Sequence, residues 1–406
     1  MSEHTETGAA VLRTTPLHRV HTALGASFTD FGGWQMPLRY TSDLAEHHAV
    51  RRSAGIFDLS HMGEVKVAGP EAGAALDHAL VGALSAVAVG RARYTMIVSP
   101  SGGVIDDLIV YHVGDEEYLV VPNAGNRERV AAELVARCAG FDCTVEDISL
   151  RTCLIAVQGP RAQEVLVGVV ESGAAMPGAL RPLEGSEEED CGPDVLCGPT
   201  LLERLRFYAA VRATAAGHSV LLARTGYTGE DGFELFVPNE NAVELWDKLA
   251  AAGEPFGMIP AGLASRDSLR LEAGMPLYGH ELGLEITPFE SGLGRLVEIA
   301  LEKKAADFVG REALTELAKS ESKRILVGLK AQAKRPARAG SKLVDAEGNE
   351  IGEVTSGIPS PTLGFPIAMA LVNREFSEVG STVDVDIRGK RAPFDVVALP
   401  FYKREK

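Results

Sequence analysis

Short apolar runs separated by Gly-rich turns recur from Gly63 to Val121, in GEVKVAG, ARYTMIV, VIDDLIVYHV and YLVVPN, with SPSGG and GDEE between them. Strands joined by such short connections predict antiparallel hairpins. In NRERVAAELVARCAGF the period lengthens: Val130, Leu134 and Val135 share a helical face, and Gly140 closes an amphipathic helix. Strand and helix patterns follow in CLIAVQGP, RAQEVLVGVV, FYAAVRA, HSVLLARTGYTGEDGFELFVP and NAVELWDKLAAAG, which predicts an α+β unit. AGLASRDSLRLEAG reads as a further helix ending at Gly274. After about Lys304 the segments RILVGLK, KLVDAEGNEIGEVTSG, IAMALV and TVDVDIRGKRAPFDVVAL are short strands between turns. They predict a C-terminal β-barrel or sandwich of about 90 residues, a usual domain size.

Two stretches break the pattern. Residues 1–14 are small and polar and read as a flexible arm. Residues 171–199 carry the acidic run EGSEEED followed by prolines and glycines, and are expected to form an exposed insertion. With 406 residues the chain exceeds one ordinary core, so two or three domains are expected, divided here as 15–305 and 306–406. Forty Lys+Arg against 56 Asp+Glu give a formal charge of −16, which offers no overall field to a polyphosphate. Nucleic acid is therefore excluded as the main partner, in favour of a small molecule or another protein. Cys138, Cys143, Cys153, Cys191 and Cys197 are odd in number and include no Cys-x-x-Cys pair, so reduced thiols in a cytosolic protein are expected. No window approaches the roughly 18 apolar residues of a membrane span. MSEHTETGAA lacks the basic and apolar regions of a signal peptide, so a cytoplasmic protein is the expectation.

Standard motifs are absent: no phosphate loop, no G-x-G-x-x-G opening a helix, and no nucleophile elbow. His47 and His48 are adjacent, but successive helix side chains diverge by about 100° and cannot share an ion, so no metal is expected. If the chain is an enzyme, its chemistry uses no standard nucleophile or metal. In VIDDLIVYH, alternation puts Asp107 on one strand face with Ile105, Ile109 and Tyr111, and Asp106 on the other. The pair is thus no catalytic dyad. One aspartate should face solvent or a loop and the other a polar cavity, unless both cap the Gly102–Gly103 turn or sit at an edge. In RTGYTGEDGFELFVP, Glu234 shares a face with Phe236. It either accepts two parallel N–H donors from a planar heterocycle or points outward from a half-exposed strand. Arg266 and Arg270 lie one helical turn apart, and either bind an anion or pair with Asp267 and Glu272. The stretch LKAQAKRPARAGSK, from Lys330 to Lys342, reverses the sign of charge locally and would suit a negatively charged protein partner.

In collinear order, FGGWQMPLRY, FDLSHMGEV, SGGVIDDLIVY, VVPNAGN, QGP, RTGYTGEDGFEL, RDSLRLEAGMPLYG and VTSGIPSP resemble the aminomethyltransferase (T-protein) family of the glycine cleavage system, from about Thr15 to the C-terminus. The 171–199 stretch lies outside these motifs. The resemblance implies a three-lobed, cloverleaf-like α+β protein: two intertwined α+β lobes, a C-terminal β-barrel, and tetrahydrofolate in the central opening. It implies transfer of the methylene of an aminomethyl group, carried on the lipoyl arm of the H-protein, to tetrahydrofolate. By the same resemblance Asp107 is the catalytic carboxylate, whether as general base or only as an orienting charge. Met62, Tyr94, Asn123, Tyr227, Glu234, Arg266 and Tyr402 are then the folate contacts. Two other functions share the scaffold: a tetrahydrofolate-dependent demethylase of a free methylated substrate, and a non-catalytic folate-binding protein. The latter group carries a cysteine within K-G-C-[YF]-x-G-Q-E, whereas this chain reads RTGYTGEDG there.

Overall fold

The computed structural model describes residues 11–182, 190–192 and 194–404. The chain enters a nine-stranded sheet at Gly55–Asp58, leaves it to build a five-stranded sheet, and returns at Thr152–Gln158. The five-stranded sheet has the order 92–98, 104–114, 117–121, 65–68, 144–147 and is antiparallel throughout. Its first three strands are the hairpins expected from the period-two runs. In the larger sheet, Thr152–Gln158 lies between Gly232–Pro238 and Gly55–Asp58, and Ile259–Pro260 adds the only parallel pairing there among the described residues. The two sheets are thus interleaved in sequence and share one apolar cluster, including Phe57, Leu59, Tyr111, Leu154 and Phe236. Helix Arg127–Cys138 covers the outer face of the smaller sheet through Val130 and Leu134, and Ala242–Gly253 covers the larger through Leu245, Trp246 and Leu249. Arg324–Ala331, Pro366–Asn373, Glu350–Pro359, Lys342–Val344, Thr382–Asp386 and Arg391–Val397 close a C-terminal barrel. The α+β class with a closed barrel is the one expected.

Four expectations need amendment. Residues 171–199 are not simply an exposed insertion: Val170–Ala174 and Val195–Cys197 are strands of the nine-stranded sheet, and Ala179, Leu180 and Leu196 are buried. Most of EGSEEED lies outside the described residues. The cysteines are not all reduced, because pairing of Asp190–Gly192 with Val195–Cys197 brings the Cys191 and Cys197 Cα atoms to 5.3 Å, and the two form a disulfide. Cys138, Cys143 and Cys153 are free. Residues 1–10 of the expected arm lie outside the described residues, but Arg13 is already held, exchanging backbone hydrogen bonds with Gly33 and Gln35 and pairing with Glu128 at 2.8 Å. Finally, the barrel begins at Arg324. Residues Phe308 and Leu314 pack instead with Val98 and Val104 of the five-stranded sheet.

Two local features place the site. Gly103 lies so close to the chain that a Cβ there would meet the Leu284 carbonyl oxygen at 1.9 Å. Glycine therefore lets the 283–286 turn fold over the start of Val104–Gly114, where the Val104 N–H donates to the Gly283 carbonyl. Helix Leu263–Glu272 runs between the sheets and the barrel, so its first turn faces the interior and its last turn faces the barrel strands.

Candidate active site

A cavity of about 220 Å³ opens where the two sheets face each other, lined by Met62, Tyr94, Asp107, Asn123, Tyr227, Glu234 and Arg266. Leu59, Leu108, Ile109, Val121 and Leu154 supply apolar wall, and Tyr111 and Tyr208 supply ring edges. Seven of the eight residues named from the sequence therefore meet in one place. Tyr402 does not line it. Its ring lies under the Arg51 guanidinium at 4.1 Å and its N–H donates to the Glu272 carbonyl, so it belongs to a cluster holding the C-terminal segment against helix Leu263–Glu272. A second cavity, reaching Phe31, His61, Leu277 and His280, shares Met62, Asn123, Tyr227 and Arg266 with the first. These four residues form the partition between them.

Asp107 sits on a central strand opposite Met96. Its carboxylate accepts the Tyr94 hydroxyl at 3.0 Å and the Asn123 amide at 2.9 Å. Burial raises its pKa above the usual carboxylate range, against these two hydrogen bonds, which favour the anion. Asp106 is fully buried and faces the loop at 123–126, while the half-buried Asp107 lines the cavity. Asp106 accepts the Asn123 N–H at 2.9 Å, the Asn123 side-chain amide at 2.9 Å and the Asn126 amide at 2.7 Å. A turn does need an aspartate, but it is the remote turn at 123–126 and not the Gly102–Gly103 turn. Burial and then the neighbouring Asp107 push its pKa up, and the N–H donors of Asn123 and Asn126 pull in the other direction by favouring the anion.

Glu234 lies on a strand paired on both sides and is 8% exposed, which removes the outward-facing alternative. Its Oε2 accepts hydroxyls from Tyr111, at 3.2 Å, and from Thr225. That oxygen's two lone-pair directions are taken, so Oε1 is the one left for a ligand N–H, and the expected two-point contact is reduced to one free oxygen. The Gly-rich segment before it is shaped by Gln158 of QGP: a Cβ at Gly226 would sit 2.0 Å from Gln158 Oε1, and the Gln158 amide donates to the Thr225 carbonyl. Arg266 lies over the Tyr227 ring at 5.0 Å and has a buried Nη1 with no hydrogen-bond partner among the described residues. Burial lowers its pKa, and Glu234 partly restores it. His61, buried beside it, is held neutral, its pKa pushed down by burial and then by the Arg266 charge.

Thr225, Tyr111 and Tyr208 are the contributors that sequence reasoning did not assign. Tyr111 carried a faint signal, since it shares the strand face of Asp107 four residues away. Tyr208 adopts φ +58°, a conformation that nothing in FYAAVRA marks, and its backbone joins the sheets by accepting from Ala92 N–H and donating to the Arg224 carbonyl. His47 is packed between Ser268 and Thr362 rather than presented to an ion. Among the described residues no group of three or more His, Cys, Asp or Glu could hold a metal, and no helix is long and apolar enough to cross a membrane.

The GCVT N-terminal domain model matches residues 17–181 and 195–301, and the glycine cleavage T-protein C-terminal barrel domain model matches 324–403. An aminomethyltransferase of Saccharopolyspora erythraea is 52% identical over 392 residues, covering 97% of this chain and 98% of the relative. One from Bacillus subtilis is 39% identical over 394 residues, covering 97% and 100%. The crystal structure of glycine cleavage system aminomethyltransferase T from Bartonella henselae superposes with a TM-score of 0.83 at 36% identity, covering 97% of this chain and 98% of the other. Family models spanning most of the chain, near full-length relatives and a matching fold agree: the chain belongs to the aminomethyltransferase (T-protein) family of the glycine cleavage system.

Proposed function

We propose that the cavity between the sheets binds tetrahydrofolate and that the chain transfers to it the methylene of an aminomethyl group carried on the lipoyl arm of the H-protein. The observation that carries this reading is a ring-lined apolar cavity holding two carboxylates and one arginine whose buried Nη1 has no partner among the described residues, a donor and acceptor set that fits a fused heterocycle with a charged tail. Glu234 Oε1 would accept from the pterin edge, Tyr94, Tyr111 and Tyr208 would pack the rings, and Arg266 would take an acceptor of the ligand. In the reaction the transferred carbon exchanges its bonds to nitrogen and sulfur for bonds to N5 and N10 of the folate. The two N–H protons leave, one with ammonia and one with the dihydrolipoyl thiol, and nothing is oxidised or reduced. Asp107, anionic at neutral pH, would sit beside the positive charge that develops as the amine leaves.

The partner surface we assign is the loop from Lys330 to Lys342. Lys342 is neutralised by Glu350 and Glu353, and Lys330 lies over Phe365, so the available charge narrows to the exposed Lys334, Arg335 and Arg338. Lipoylated H-protein loaded with the glycine-derived aminomethyl group, mixed with the enzyme and tetrahydrofolate, should release ammonia and 5,10-methylenetetrahydrofolate. Asp107→Ala should abolish the folate-dependent part. Turnover of free methylated amines without carrier would favour a demethylase, and binding without turnover would favour a non-catalytic folate protein.

A further inference from the structure

We propose that Asp106 is a positioning residue: it fixes the Asn123 amide so that the NH2 meets Asp107 while the amide oxygen is left for whatever enters the cavity. The inference rests on the reading of the cavity given above. Asp106 does not line the cavity and is fully buried, yet it is the acceptor for both the backbone and the side-chain N–H groups of Asn123. The same Asn123 NH2 reaches Asp107 Oδ1 at 2.9 Å and the Asp107 carbonyl at 3.0 Å. Three oxygen acceptors therefore surround the NH2. A flipped amide would set its oxygen against all three, so its orientation is over-determined. Asn126 completes the cradle, donating to Asp106 Oδ1 at 2.7 Å.

A turn at 123–126 could be anchored by a neutral acceptor. Placing a second buried carboxylate next to Asp107, with no lysine or arginine paired to it among the described residues, disfavours both charges. That cost is understandable if the charge holds a group that touches the ligand, and Asn123 lines both cavities. Asp106→Asn keeps the shape but turns one acceptor into an NH2 facing N–H donors, which frees the Asn123 amide.

The test is a double-mutant cycle in the folate-dependent transfer assay, with tetrahydrofolate affinity measured alongside. Asp106→Asn alone should lower kcat/KM for tetrahydrofolate about 10- to 100-fold, as loss of a supporting outer partner commonly does. In an Asn123→Ala background the same change should cost less than about 3-fold, because the group it acts through is gone. Its effect on thermal unfolding should persist in both backgrounds, which separates positioning from folding. Losses that simply multiply would overturn the positioning role. If Asp106→Asn does not fold, Asn126→Ala removes one donor from Asp106 without changing its charge and should show a smaller loss with the same non-additivity. Full turnover and folate affinity in Asn123→Ala would overturn the positioning role together with the cavity reading of Asn123. An impaired Asn123→Ala with multiplicative losses overturns the positioning role alone.

Discussion

Arg266 and Arg270 stand one turn apart on helix Leu263–Glu272; Arg270 is buried and Arg266 half-buried with its Nη1 shut off from solvent, yet their surroundings are opposite. Arg270 donates to Asp267 at 2.8 Å, Glu281 at 3.0 Å, the Met275 carbonyl at 3.2 Å and Ser356 of the barrel at 2.8 Å. Arg266 has no ion pair among the described residues, rests on Tyr227 and leaves Nη1 without a partner between two cavities. A buried cation whose donors are all used holds the scaffold together. A buried cation with a donor left over is incomplete until a ligand arrives, since an unmet charged donor in the interior is costly. The pairing of Arg270 with Asp267 was among the alternatives open from spacing; the different fate of Arg266 was not.

That contrast can be broken by exchanging what each arginine is asked to do. Arg270→Met should cost about 3–5 kcal/mol in denaturant unfolding, because Glu281 is left buried without its cation, while folate affinity of the folded fraction stays near wild type. Unfolding at the wild-type midpoint would deny the scaffold role. Arg266→Met should weaken tetrahydrofolate binding by about 2 kcal/mol, roughly 30-fold, with stability unchanged or raised; calorimetric titration beside thermal unfolding reads both.

Glu272, at the barrel end of the same helix, sharpens the scaffold half. Burial alone would raise its pKa, but hydrogen bonds from His47, Ser360 and Thr362 hold it down to about 2. A depressed folded-state pKa contributes stability that is present above the unfolded value and lost as pH falls toward the folded one. Wild type should therefore lose stability between roughly pH 4.5 and pH 2, and Glu272→Gln should show a shallower loss over that window. Identical slopes would remove Glu272 from the contacts that hold the helix to the barrel. The smallest effect belongs to the surface. Reversing Lys334, Arg335 and Arg338 to glutamate should slow transfer from the carrier severalfold at low salt and little at high salt. Equal slowing at both would separate that loop from docking.

How much of this was readable in the chain depends on how local each cause is. Hairpins, the helix at 127–138 and the barrel strands follow from patterns only a few residues long. The short strands Val170–Ala174 and Val195–Cys197 do not, because an acidic run dominates the local composition while Val170–Ala174 is placed by pairing with the distant Ala210–Ala215 and in turn pairs with Val195–Cys197. Alternation separated Asp106 from Asp107, but could not show that Asn123, at the end of a neighbouring strand, gathers both. Seven residues named through motif resemblance converge on one cavity because motifs record contacts that propensity cannot. Tyr402 came from the same source and stands outside it, and Thr225 and Tyr208 had no local mark.

The central claim is that the cavity between the sheets is a folate site read by Glu234. Titrating tetrahydrofolate into wild type and Glu234→Ala tests it most directly. The account predicts saturable one-to-one binding by wild type and at least about a tenfold loss in the variant; equal affinity in the two, or no binding by either, would contradict it.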